Sequence, residues 1–184
     1  MLPQADAAPM QVSGDPVYVF ADVEGYLAKA QEPHAVDKGL RISRRYERLM
    51  PDGTWKPTGS FAVGDIVRIT LSCTCRQGSA GYMAVEDRLP ATFEAIDPSI
   101  PSQCADVPSS GWHSAGFINH REFLKDRARF FTQSGLSLNG DFASYVARVV
   151  RSGTVTAPAA KAELMYNPRV YGLSVPQKFT VKPR

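Results

Sequence analysis

The run from Val67 to Cys75 leaves this chain few ways to fold. Val67, Ile69, Leu71, Cys73 and Cys75 are apolar, and Arg68, Thr70, Ser72 and Thr74 between them are polar. A period of two held over this length predicts a β-strand with one buried face, because successive side chains of a strand point to opposite sides. The two cysteines continue the core-facing row. Two apart on one face of one strand, they are not placed to bridge each other. With Cys104 in a loop, the pattern reads as two buried thiols and one loop thiol, not a disulfide framework or a Cys-x-x-Cys redox site.

The rest of the chain repeats this pattern in shorter pieces. Alternation marks strands over Pro16–Leu27, Leu40–Leu49, Tyr82–Val85, Thr92–Ile96, Phe142–Arg151, Thr154–Thr156 and Val175–Val181. Turn chemistry separates them at Met50-Pro-Asp-Gly53, Leu138-Asn-Gly-Asp141 and Ser152-Gly153. Trp112–Phe131 fits helical spacing and also fits two strands around Lys125-Asp126-Arg127; in an otherwise β chain we favour strand–turn–strand. Asp97–Ser114 reads as a long polar loop of the kind that is often functional or mobile. Met1–Asp15 has no periodicity and reads as a flexible leader, leaving residues 16–184 as one domain. The expected class is all-β, an antiparallel β-sandwich of about seven to nine strands.

Composition removes several functions. The net charge of +3 is mild and scattered, with one dense point at Arg41–Arg48, so a nucleic-acid partner is not expected. That cluster alternates across its strand, with Leu40, Ile42 and Arg44 on one side and Arg41, Ser43 and Arg45 on the other. It is read as a charge-guarded edge strand or as a docking surface for an acidic partner. No apolar run is long enough for a membrane span, and the N-terminus lacks the pattern of a secretory signal. His34, His113 and His120 have no thiol or carboxylate at ligand spacing, so no metal or other cofactor is expected. Glu86 and Asp87 are adjacent on a strand and point apart, which suits a charged strand end or a bridge to Arg88 better than a catalytic dyad. No nucleophile elbow, phosphate loop or dinucleotide motif occurs, and the chain reads as a non-enzyme.

One stretch stays unexplained by these rules. Ala157–Gly172 leads through Pro- and Ala-rich sequence into Met165-Tyr166 and then Asn167-Pro168, where proline restricts both itself and the residue before it. Met165 and Tyr166 either fill this domain's own core or are offered to a partner surface.

Several fragments occur in an order that resembles a known family. They are Val63-Gly-Asp-Ile-Val-Arg-Ile69, Val85-Glu-Asp-Arg-Leu-Pro-Ala91, Phe93-Glu-Ala-Ile-Asp-Pro98 and Arg121-Glu-Phe-Leu-Lys-Asp-Arg127. Tyr145-Val-Ala-Arg148, Gly153, Pro158-Ala-Ala-Lys-Ala-Glu-Leu-Met-Tyr-Asn-Pro168 and Val170-Tyr-Gly172 follow. Together with Val17-Tyr-Val-Phe20 and Arg41-Ile-Ser-Arg-Arg-Tyr46, the set resembles the C-terminal macroglobulin-like (MG10) domain of bacterial alpha-2-macroglobulins. The resemblance implies a noncatalytic β-sandwich within a large protease trap of the periplasm or cell envelope. Its partners would be the other domains of the parent chain and, through the parent, target proteases. It also implies docking on a thioester domain, with Met165 and Tyr166 covering the reactive bond and Pro168 holding the corner. No Cys-x-Glu-Gln thioester sequence occurs in this chain, and with no secretory signal it reads as a C-terminal piece of a longer protein. The alternative is an immunoglobulin-like adhesion or stalk module of a bacterial cell-surface protein.

Overall fold

The strand expected from period two forms and lies in the middle of a sheet. The computed structural model describes residues 34–76, 81–133 and 138–184, so the expected leader over 1–15 and the strand over Pro16–Leu27 lie outside the described residues. In chain order the first strands are β1 (Val36–Lys38), β2 (Leu40–Leu49), β3 (Trp55–Pro57), β4 (Ser60–Ala62), β5 (Ile66–Cys75), β6 (Met83–Arg88) and β7 (Phe93–Ala95). A one-turn helix, α1 (Pro101–Cys104), then precedes β8 (His113–Ser114), β9 (Ile118–Leu124), β10 (Arg127–Thr132) and β11 (Asn139–Val149). The chain ends through β12 (Gly153–Ala157), β13 (Lys161–Leu164), β14 (Asn167–Leu173) and β15 (Gln177–Lys182).

Two sheets pack face to face. One runs β1-β14-β13-β6-β10-β9 and the other β3-β2-β5-β11-β7, with β8 also pairing β11; a smaller sheet, β12-β15-β4, closes one end. Every pair is antiparallel except β15 with β4. The sandwich class is as expected, but the described residues hold fifteen strands, more than the seven to nine expected. The surplus comes from pieces such as β1, β3, β4 and β8, only two or three residues long. Pieces this short carry no period-two signal, so only pairing in three dimensions reveals them.

The core follows the alternation. Val67, Ile69, Leu71, Cys73 and Cys75 of β5 are all buried, against Met83 and Val85 of β6 and Ala128 and Phe130 of β10. Burial pushes the Cys73 thiol up to about 12, which makes it an inert core filler. Tyr46 and Phe61 meet each other and both Phe93 and Phe179 edge to face at the end closed by the small sheet, where Phe93 and Phe179 stack. Trp112–Phe131 resolves as expected, with β9 and β10 paired around the Lys125-Asp126 turn.

Two glycines join the sheets. Gly39, with φ of +95°, carries the chain directly from β1 in one sheet to β2 in the other. Gly172 of β14 lies against the start of β2, where an added β-carbon would stand 2.3 Å from the Leu40 carbonyl oxygen. No side chain fits there.

Arg41–Arg48 is a solvated, charged edge on one face only, where Arg41 and Arg45 are exposed. β2 lies between β3 and β5, although β3 covers only Glu47–Leu49. Arg44 continues the inward row of Leu40, Ile42 and Tyr46, and its side chain is 1% exposed. Asp87 faces it from β6 with none of its side chain exposed. Their direct ion pair is extended by the Tyr145 hydroxyl, which donates to Asp87 Oδ2 at 2.8 Å, and by Arg44 Nη2, which donates to the Pro158 carbonyl at 2.8 Å. Burial works against the Arg44 charge, but Asp87, together with Tyr46 and Tyr145, offsets it and holds the guanidinium above its ordinary value. Burial raises the Asp87 carboxyl, while Arg44 and Tyr145 pull the other way. The expected bridge to Arg88 forms from outward-facing Glu86 at 2.9 Å, while Asp87 turns inward to Arg44.

Asp97–Ser114 is not a free loop. Cys104, Val107 and Trp112 pack over Ile66, Ile96 and Val146 on the outer face of the second sheet. Four side chains pin it: Arg148 binds Asp106 bidentately at 2.8 and 3.1 Å, Trp55 Nε1 donates to Ser110 Oγ at 3.1 Å, Arg68 Nη1 to the Ser110 carbonyl at 3.1 Å and the Ser144 hydroxyl to the Gly111 carbonyl at 3.2 Å.

The buried pair predicts an asymmetric mutant cycle. Asp87→Ala leaves Arg44 charged and unpaired between the sheets and is expected to cost about 3–5 kcal/mol in urea unfolding. Arg44→Met combined with Asp87→Leu is expected to cost less than Asp87→Ala alone, because apolar replacement removes both desolvation penalties.

Candidate functional site

The candidate site is the tip of the β13–β14 hairpin. β13 pairs with β6 on one side and β14 on the other, and Leu164 faces Met83 across the first pairing and Asn167 across the second. Met165 and Tyr166 are therefore the two residues of the turn. Asn167-Pro168, expected to make the corner, instead begins β14 one step later. Both turn residues keep negative φ, unlike the glycine-type hairpin turns, and the β13–β14 register shifts between Glu163 and Leu164. Met165 N–H donates to the Tyr82 carbonyl at 2.8 Å, which ties the tip back to the neighbouring strand.

Neither side chain fills the domain's own core. Met165 is 48% exposed and Tyr166 82% exposed, and Pro168 is exposed beside them. Sequence reasoning missed a third member, Tyr82, whose ring meets that of Tyr166 edge to face, with centroids 5.5 Å apart and planes at 88°. Tyr82 is 45% exposed and immediately precedes β6. Its sequence signal was its place one residue before the inward Met83, which puts it on the outward face, but a Tyr opening a strand reads equally as core.

The tip itself is uncharged, although exposed Arg169 follows it on β14. Residues 164–168 carry no charge, and the nearest acidic group in sequence, Glu163, is paired with Lys161 at 2.6 Å. Farther along the same outer face, Glu86 is bound by Arg88, Arg129 and Arg127. Partial burial opposes the Glu86 charge, but the hydrogen bonds from Arg88 and Arg129 and the nearby Arg127 hold its carboxyl below its ordinary value. The surface thus offers an uncharged apolar tip next to a neutralised ladder of ion pairs, suited to dry contact with another surface.

No group of three or more His, Cys, Asp or Glu residues comes together as a metal cage among the described residues. None of their helices is long and apolar enough to cross a membrane.

Comparison with known families decides the relationship. The family model of the bacterial alpha-2-macroglobulin MG10 domain matches residues 39–169, well over half of the chain. The chain belongs to the bacterial MG10 family. It is 30% identical over 167 residues to an alpha-2-macroglobulin of Xylella fastidiosa and 29% identical over 167 residues to that of Escherichia coli, covering 85% of this chain in each case. It spans about a tenth of the length of these curated relatives. Among solved structures, native E. coli alpha-2-macroglobulin from domain MG7 to the C-terminus superposes with a TM-score of 0.64 at 25% identity, over 86% of this chain and 25% of that one. The E. coli protein activated by porcine elastase superposes equally, at 27% identity, over 86% of this chain and 14% of that one.

The exposure of the tip makes a simple prediction for this MG10 domain. Tyr166→Ala is expected to change unfolding free energy by no more than about 0.5 kcal/mol, because the side chain packs on nothing buried. Val85→Ala, deep in the core, is expected to cost more than about 1 kcal/mol in the same titration.

Proposed function

We propose that this MG10 domain is a noncatalytic docking and shielding module of a protease-trapping alpha-2-macroglobulin. In this account it packs on the neighbouring thioester domain, and Met165 and Tyr166 cover the reactive bond. Pro168, whose ring fixes φ at the start of β14, limits how far the tip can bend away. The partners are the other domains of the parent chain and, through them, the proteases it captures. The site of action is the periplasm or cell envelope.

The observation that carries this proposal is the exposure of a Met and a Tyr, side by side, at the apex of an otherwise well-packed domain. An acyl thioester persists in water only while water and amines are kept away from it. A planar aromatic ring supplies a large apolar cover, and the adjacent thioether, with its several rotatable bonds, fills the gaps the ring leaves. A hairpin tip can deliver both without disturbing the sandwich behind it. Activation of the E. coli relative by porcine elastase is consistent with a parent that responds to proteases.

The test uses the full-length protein that carries this chain. Tyr166→Gly is expected to raise the rate at which a labelled primary amine couples to the thioester. An unchanged rate would remove the shielding role.

A further inference from the structure

A tyrosine that is 82% exposed on a two-residue turn would ordinarily move among several rotamers, since nothing holds its ring. Tyr166 is held. Its ring meets the ring of Tyr82 at 5.5 Å and 88°, the geometry that the aromatic quadrupole favours, and this is its one aromatic contact among the described residues. The backbone is tied at the same point, because Met165 N–H donates to the Tyr82 carbonyl at 2.8 Å. That bond extends the β6–β13 ladder by one step past the Leu164–Met83 pair.

The support under Tyr82 is firm. Its chain neighbour Met83 is wholly buried, and Met83 N–H donates to the buried Thr132 hydroxyl at 3.1 Å. Tyr82 itself contributes no buried core, being 45% exposed on the outward side. Its backbone anchors the turn and its ring meets the Tyr166 ring, so its role is not explained by packing within the sandwich.

We propose that Tyr82 is a positioning residue that fixes the Tyr166 ring in its docking orientation, so that Tyr82, Met165 and Tyr166 present one preorganised apolar surface to the neighbouring domain. The consequence for shielding rests on the function proposed above; the hold of Tyr82 on Tyr166 does not. Ordering the tip before contact lowers the conformational entropy lost on docking, and an edge-to-face pair biases orientation by about two- to tenfold.

Two measurements separate the parts. In the 184-residue chain, NMR of the aromatic rings is expected to show cross-ring Overhauser contacts and a ring-current shift between Tyr82 and Tyr166, with Tyr166→Phe used for assignment. Tyr82→Phe is expected to keep the contacts and the shift. Tyr82→Leu is expected to move the Tyr166 ring signals to the position of a free tyrosine while leaving the unfolding midpoint unchanged. Tyr166 signals that stay in place in Tyr82→Leu would overturn the positioning role. In the full-length protein, Tyr82→Leu is expected to raise amine coupling by about two- to tenfold, with Tyr82→Phe restoring the native rate. Combined with Tyr166→Gly, it should add nothing beyond that change alone. A faster rate in Tyr166→Gly with none in Tyr82→Leu overturns the proposal for Tyr82 and leaves shielding standing. No change in Tyr166→Gly removes shielding, and the ring measurement then decides the role of Tyr82 alone.

Discussion

Between the two sheets, a guanidinium and a carboxylate meet with essentially none of either side chain in contact with water. Arg44 comes from β2, Asp87 from β6, and the Tyr145 hydroxyl from β11 completes the carboxylate's hydrogen bonding. Such a pair is a poor source of stability, since desolvation offsets much of the attraction, but it penalises misalignment heavily. A slip of one residue in β2 or β6 would turn Arg44 or Asp87 outward and leave the other charged and alone in the core. The pair therefore supports one register between the sheets. Arg44 also reaches the Pro158 carbonyl, at the entry to the β13–β14 hairpin, so the same cluster touches the segment that carries the exposed tip.

This arrangement separates the duties of the molecule. The interior is a filled sandwich whose cysteines and buried carboxylate are committed to packing and to one ion pair. The outer face of the first sheet is a ladder of paired charges. The tip of β13–β14 is where two large uncharged side chains, with Tyr82 beside them, stand free of both. A domain built this way can lend its apex to a neighbour without loosening its own core.

Much of this was legible in the sequence. The alternation of β5 identified both its buried row and the fate of Cys73 and Cys75, and the Lys125-Asp126 turn gave the β9–β10 hairpin. The split of Glu86 and Asp87 to opposite faces also followed from strand geometry. What the sequence withheld was pairing over distance. Arg44 stood in an apolar row with Leu40 and Ile42, but its counter-charge lies 43 residues away on another sheet, and no local rule connects the two. The cover provided by Asp97–Ser114 was hidden because its anchors, Trp55, Arg68, Ser144 and Arg148, also come from remote strands. At the tip, the resemblance and the Asn-Pro signal pointed to Met165, Tyr166 and Pro168, yet the turn sits two residues earlier than Asn167-Pro168 because pairing of Asn167 with Leu164 draws Asn167 into the strand. Tyr82 was missed because its meaning depends on which ring stands opposite it.

As a proposed contact surface inside the parent, the tip would become free when a protease acts. Hydrogen exchange on the full-length protein, before and after protease cleavage, and on this chain alone reads that release at the backbone. The account predicts that amides of residues 163–167 exchange more slowly in the uncleaved parent than in the isolated chain and lose that protection on cleavage, while β5 and β11 stay equally protected in all three. Equal exchange at residues 163–167 in the parent and in the isolated chain would contradict it.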